Sequence, residues 1–240
     1  MKKTLIALAA VAVTGAAFAQ SSVTLSGQVE TGLEKRWSGD ATRMTSNRNG
    51  TSNWTLRGTE DLGGGMNAVF QVSTSFNPDD GTAGGLSTGT TGTVLGNNGM
   101  FVGVTGGFGT FRMGRPANTL FANALFANGT KGVRNTLLSN MVANAGNSVY
   151  VNNGVQYHTP VMGGFQVQVE YAPAELGGAS AGTGIALRYA AGPIVATFTN
   201  YKGAGTGALL KPKAVNQLAG SYDFGLARVF LTYRDDGNLA

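Results

Sequence analysis

An all-β fold, a transmembrane antiparallel β-barrel, is what this 240-residue sequence predicts, on three observations. Apolar and polar residues alternate with a period of two through most of the chain, the connections between these runs alternate short and long, and the N-terminus carries an export signal.

Met1-Lys2-Lys3 is a short positive segment, Thr4 to Ala16 is apolar, and Ala17-Phe18-Ala19 fits an A-x-A cleavage site. Residues 1–19 therefore read as a signal peptide cut between Ala19 and Gln20. A membrane helix needs roughly 20 apolar residues, and this run is shorter and passes directly into polar, strand-like sequence. Loss of Lys2 and Lys3 lowers the formal charge from +5 to +3, so the basic balance is partly the signal's, and no nucleic-acid partner is expected. With no cysteine, the exported chain is not a small disulfide scaffold. Charged residues are 12% of the chain and 38 residues are glycine, and no later segment is apolar for long enough to be a spanning helix. Disorder, a secreted β protein and a membrane barrel remain, and periodicity has to choose among them.

The first run, "VTLSGQVETGLE", puts Val23, Leu25, Gly27, Val29, Thr31 and Leu33 on one face and Thr24, Ser26, Gln28, Glu30 and Glu34 on the other. Trp54 and Leu56 stand against Thr55, Arg57 and Thr59; after the turn "EDLGGG", Ala68, Phe70, Val72 and Phe76 stand against Asn67, Gln71, Ser73 and Ser75. The pattern is cleanest in "FQVQVEY" from Phe165 and recurs in "IALRY" from Ile185 and "ARVFLTY" from Ala227. About eleven strands are expected, at roughly 9 to 11 residues for a membrane crossing. Helical periodicity is faint and confined to 117–126.

Short links rich in Gly and Pro ("EDLGGG", "TGGFG", "TPVMGG", "AAGP", "SYDFG") alternate with longer polar loops at 35–51, 77–98, 115–147, 173–182 and 203–214. That rhythm is the one of an outer-membrane barrel, with short periplasmic turns opposite long extracellular loops. A soluble sandwich and a barrel both need one apolar face. Only the barrel needs the other face to be as uniformly Gln, Thr, Ser, Asn, Glu and Arg as it is here, with Phe and Tyr gathered near strand ends.

The motifs "SSVTLSGQVETGL", "WTLRGTEDLGGGMNAVFQ", "FVGVTGGFGTFRMGR", "GVQYHTPVMGGFQVQVEYA" and "AGSYDFG", in this order, resemble the general porins of betaproteobacteria from the signal to the end of the chain. The resemblance implies a barrel of 16 strands, a homotrimer in the outer membrane, matured by the barrel-assembly machinery, with the loop at about 115–147 folded inward as a constriction. It implies passive diffusion of small hydrophilic solutes and inorganic anions, without catalysis or cofactor. It also implies that Arg57 and Arg115 line the pore. The sequence departs from the family at Tyr150, where an arginine often stands, and at its close, "DDGNLA", where relatives end on an aromatic residue. It is therefore expected to be the N-terminal portion, residues 20–240, of a longer barrel.

No Asp or Glu occurs from Gly81 to Val169, whereas Arg112, Arg115, Lys131, Arg134 and the single His158 do. Arg112, Lys131 and Arg134 join Arg57 and Arg115 as candidate constriction residues, and rings of positive side chains favour anions. The competing reading has Arg57 and Arg115 paired to Glu30, Glu60 or a carboxylate from another strand. Glu60 and Asp61 fit a turn-stabilising role. His158, without a second His or Cys nearby in sequence, gives little support to a zinc site, and "GAGTGALLK" at 203–211 lacks the ending of a phosphate loop. An enzyme on a barrel scaffold would need a nucleophile beside a His base, and a surface adhesin would use the long loops.

Overall fold

The computed structural model describes residues 21–35, 37, 39–47, 50–83, 95–128, 149–174, 179–205 and 213–236. The signal segment with its Ala19–Gln20 junction, and Lys131 and Arg134, lie outside the described residues. In chain order the elements are β1 (Ser22–Gln28), β2 (Thr31–Glu34), β3 (Arg43–Ser46), β4 (Asn53–Gly63), β5 (Met66–Ser75), β6 (Met100–Gly106) and β7 (Gly109–Arg115). They continue with helix α1 (Thr119–Asn128), β8 (Gly154–His158), β9 (Phe165–Ala172), β10 (Gly182–Ala191), β11 (Ile194–Lys202), β12 (Val215–Asp223) and β13 (Arg228–Asp235).

Eleven strands form one sheet in the order β1-β4-β5-β6-β7-β8-β9-β10-β11-β12-β13, every neighbour antiparallel. This is the strand number and the meander that the alternating runs predict. Among the described residues β1 and β13 are not paired to each other. The short links fall between β4 and β5, β6 and β7, β8 and β9, β10 and β11, and β12 and β13, and the long ones between the other pairs.

Residues directly opposite in a ladder share a face, so the register shows how the sheet is coated. Val167, Leu187, Phe198, Leu218 and Tyr233 form one row across β9 to β13, and all are exposed. The row one residue along, Gln168, Ala186, Thr199, Gln217 and Arg234, faces the other way, and its Gln168, Thr199 and Gln217 are no more than 1% exposed. Apolar side chains outside and amides and hydroxyls inside invert a soluble sheet and match a barrel wall.

The single run expected over 23–34 is two strands. After Gln28 the chain leaves β4, and β2 pairs instead with β3. Ser52 holds the break: the Glu30 N–H donates to its Oγ at 2.8 Å, and that hydroxyl donates back to the Glu30 carbonyl at 3.2 Å. Asn47, at φ 59°, accepts the Ser52 N–H at 2.5 Å and donates to the Phe76 carbonyl and to Asn77 Oδ1 at 3.0 and 2.7 Å. These side chains replace ladder bonds that the alternation alone leads one to expect.

At the opposite end, Gly63, Gly64 and Gly65 turn the chain at φ 79°, 62° and 77°, values open to glycine at little cost. The Asp61 carboxylate accepts the Gly63 N–H at 2.8 Å, the turn role expected of it. Aromatic rings collect at this end: Phe165 against Tyr189 at 4.6 Å, Tyr222 against Phe224 at 4.5 Å, and Tyr157, whose hydroxyl donates to the Phe108 carbonyl at 2.6 Å.

Helix α1 lies where the faint periodicity placed it, packed on the polar face of β9 to β13. Its buried residues Leu120, Asn123, Ala124 and Ala127 are only partly apolar, which is why the 3.6-residue signal is weak. On the same face of the sheet, Gly103 of β6 sits opposite Arg112 of β7, and a Cβ there would stand 2.3 Å from the Phe111 carbonyl oxygen. Gly103→Ala is expected to push β6 from β7 at a cost of about 1 to 3 kcal/mol, read as a smaller heat-resistant fraction on unboiled electrophoresis.

Candidate functional site

The site is built by register. Arg57 of β4 lies opposite Thr24 and Gln71, Gln71 opposite Phe101, and Arg112, two residues from Gly114, opposite Gly103 and Gln156. Gln156 in turn lies opposite Glu170. All belong to the polar face, although they are separated by more than a hundred positions in the chain.

Arg57 is exposed, and its Nε donates to Gln71 Oε1 at 2.9 Å. Arg112 is built the same way, its Nε donating to Gln156 Oε1 at 2.8 Å while the guanidinium lies 5.0 Å over the Phe101 ring. In both, an amide fixes the inner nitrogen and leaves the terminal nitrogens free to meet an anion. A third arginine, Arg188 of β10, donates from Nε to Asn123 Oδ1 at 2.6 Å and stacks at 4.4 Å on Phe126 of α1. Among the described residues none of these three forms an ion pair.

Arg115 has a different setting. Its register partner is Met100, and it follows the parity of Phe111 and Met113, whose side chains are exposed on the apolar face. At the strand's end it turns to the neighbouring segment: Nη1 donates to the carbonyls of Gly96 and Asn97 at 3.2 and 2.8 Å, and Nε to Asn152 Oδ1 at 2.8 Å. Its guanidinium covers the Tyr150 ring at 4.9 Å, and the Tyr150 hydroxyl donates to Asn98 Oδ1 at 2.7 Å. Burial pushes that phenol up to about 12, against the pull of Arg115, so the ring stays neutral beneath the cation. Tyr150 thus supplies a surface on which Arg115 stacks.

Glu170 is the residue that the chain's linear charge pattern leaves out. The acid-free stretch ends at Val169, one position short of it. Strand pairing brings Glu170 within one amide of Arg112, so the absence of acids along the sequence does not make the site acid-free. It is 5% exposed, and its Oε2 accepts from the Thr119 N–H at 2.8 Å, the Thr119 hydroxyl at 2.7 Å and Gln156 Nε2 at 2.6 Å. Asn118, an N-cap type ahead of an apolar run, accepts the Phe121 N–H at 2.7 Å. That Asn was a readable start signal for α1; the role of Glu170 had no local signal. His158 lies on the polar face opposite Thr110 and Gln168.

Comparison with known proteins follows the same lines. The model of the family described as Gram-negative porin matches residues 4–240. The chain is similar to outer membrane porin protein 32 of Delftia acidovorans, 36% identical over 248 positions that cover 95% of this chain and 68% of that protein. It is similar to an outer membrane porin protein of Bordetella pertussis, 31% identical over 97% of this chain and 69% of the other. The solved structure of an anion-selective porin from Comamonas acidovorans superposes with a TM-score of 0.64 at 26% identity, covering 90% of this chain and 68% of that one.

The geometry separates Arg115 from Arg57 and Arg112. Arg115→Ala removes charge-assisted bonds that contribute about 1.5 to 3 kcal/mol each. It is expected to make the 95–99 segment cleavable by a protease that spares the parent protein, while the reversal potential shifts less than for a change at Arg57.

Proposed function

The chain belongs to the Gram-negative porins, and from that membership and the arginine row we propose that it forms the wall of an anion-preferring diffusion pore. It is an outer-membrane channel protein. Small hydrophilic solutes and inorganic anions cross through water along the polar face, while lipid covers the exposed apolar one. The observation that carries the reading is the pairing of Arg57 and Arg112 with neutral amides, which leaves two positive charges on the polar face without an ion pair among the described residues. In a confined aqueous path fixed positive charge raises the local concentration of anions. The similarity to the anion-selective porin from Comamonas acidovorans supports the same sign.

Within this reading Arg188 adds a third inner charge and Arg115 braces the rim. Lys131 and Arg134 add positive charge to the 115–147 segment, which with α1 at its start serves as the constriction. Residues 1–19 serve as the export signal, released between Ala19 and Gln20, and residues 20–240 belong to the barrel. The partners are outer-membrane lipid, two further copies in a trimer, and the barrel-assembly machinery. Transport is passive and needs no catalytic group or cofactor.

Planar-bilayer recording under a potassium chloride gradient tests it. Replacing both Arg57 and Arg112 by glutamate is expected to lower the anion-to-cation permeability ratio by roughly tenfold, the order set by reversing charges a few ångströms from the ion path. A parent protein that prefers cations would sink the proposal.

A further inference from the structure

We propose that Glu170 is the positioning residue of this pore: one wall carboxylate seats α1 on the barrel and, through Gln156, aims Arg112 while offsetting its charge. The proposal rests on the channel reading above and extends it to what sets the pore's width and the strength of its preference.

Three donors converge on a single oxygen of Glu170, two from Thr119 at the first turn of α1 and one from Gln156 on the neighbouring strand. Gln156, 1% exposed, divides its amide. Its nitrogen serves Glu170 and the Ala117 carbonyl, at 2.6 and 2.8 Å, and its oxygen accepts from Arg112 Nε at 2.8 Å. Ala117 and Thr119 flank the N-cap Asn118, so wall and helix start are joined at adjacent residues.

A carboxylate suits the place for two reasons. The N-terminus of a helix carries partial positive charge, and α1 has no acidic residue in its first turn to answer it. Arg112 lies one amide away, so the same carboxylate answers both a helix terminus and a cation. Among the described residues, Asp61 and Asp223 of this face are committed elsewhere, Asp61 to the Gly63 N–H and Asp223 to the Arg228 guanidinium at 2.6 Å.

Two effects therefore separate. As an anchor, Glu170 governs how far α1 stands into the lumen, and hence conductance. As a charge, it tempers Arg112, and hence selectivity. A group that only stabilised the fold would alter neither in the protein that does fold.

The test uses the full chain purified from outer membranes and recorded in planar bilayers, with heat-resistant migration as the folding check. Glu170→Gln keeps the shape and removes the charge; it is expected to raise the chloride-to-potassium permeability ratio about two- to fivefold. Glu170→Ala also removes the acceptor, and should change single-channel conductance and add brief closures. Leu120 and Val215 pack together between α1 and β12, and the chain has no cysteine, so an L120C/V215C cross-link can seat the helix without Glu170. In the Glu170→Ala background that cross-link should restore conductance and leave selectivity altered.

Folded Glu170→Gln with the parent permeability ratio overturns the charge role. A conductance change in Glu170→Ala that the cross-link does not reverse, or no change at all, overturns the anchor role. If Glu170→Ala does not fold, Glu170→Gln alone decides the charge role, and Thr119→Val, which removes the hydroxyl donor to Glu170, takes its place with and without the cross-link to decide the anchor role. A parent protein that conducts without anion preference removes the reading beneath the proposal, yet the conductance arm still judges the anchor.

Discussion

In hydrocarbon a backbone amide or carbonyl without a partner costs several kcal/mol, and a chain that crosses by strands must pair them with its neighbours. Everything else in this protein is arranged around that ladder. Eleven strands meander so that each finds its partner next in sequence within the sheet, which keeps the turns at one end short. Once the backbone is satisfied by its neighbours, the outward positions only have to suit lipid, and the row of Val167, Leu187, Phe198, Leu218 and Tyr233 does so. The inward positions are then released from packing a core. They can carry amides, hydroxyls and arginines.

The same ladder sets the order of the inner row. Arg57, Gln71, Phe101, Arg112, Gln156 and Glu170 come from six successive strands of the sheet. Register pairs Arg57 with Gln71 and Gln71 with Phe101, and Arg112 with Gln156 and Gln156 with Glu170, while Arg112, two residues from Phe101's partner Gly114, joins the two runs by stacking on the Phe101 ring. Cations and amides alternate along much of it, and the alternation has a consequence. An amide oxygen holds an arginine through its Nε without cancelling its charge, whereas a carboxylate in the same place would do both. The carboxylate enters only at the far end, where a helix terminus shares its charge.

Period-two alternation made the strands, their number and their facing readable, because exposure to lipid on one side and water on the other leaves a strong pattern at every step. It misjudged the first run, since the break after Gln28 is made by Ser52 and Asn47, residues distant in sequence whose bonds leave no periodic trace. Positive residues of the candidate site were visible as residue types. Arg112 and Arg115, three positions apart in one strand, nevertheless have opposite parity and different partners, which only register and the loop carbonyls of Gly96 and Asn97 decide. Glu170 and Arg188 stood in plain alternating strands and looked like ordinary wall. Their part in the site follows from α1 crossing over them, and a helix with a half-polar buried face is a feature that amphipathic patterning does not flag.

What holds that helix follows from magnitudes. Leu120, fully buried with Tyr201 and Val215, contributes about 1.5 to 3 kcal/mol by leaving water. Each hydrogen bond to a charged acceptor contributes about 1.5 to 3 kcal/mol net, so the pair from Thr119 to Glu170 is at least as large as the leucine. Phe121 adds nothing to the wall contact, because it packs with Ala124 and Val149 on the chain's own return segment. The first turn is thus seated by one apolar and one polar contact of comparable weight, and Arg188, gripping Asn123 and Phe126, holds the middle. A polar wall can therefore fasten a helix as firmly as an apolar core fastens one, provided that a carboxylate waits at the terminus where the helix's own unpaired N–H groups emerge.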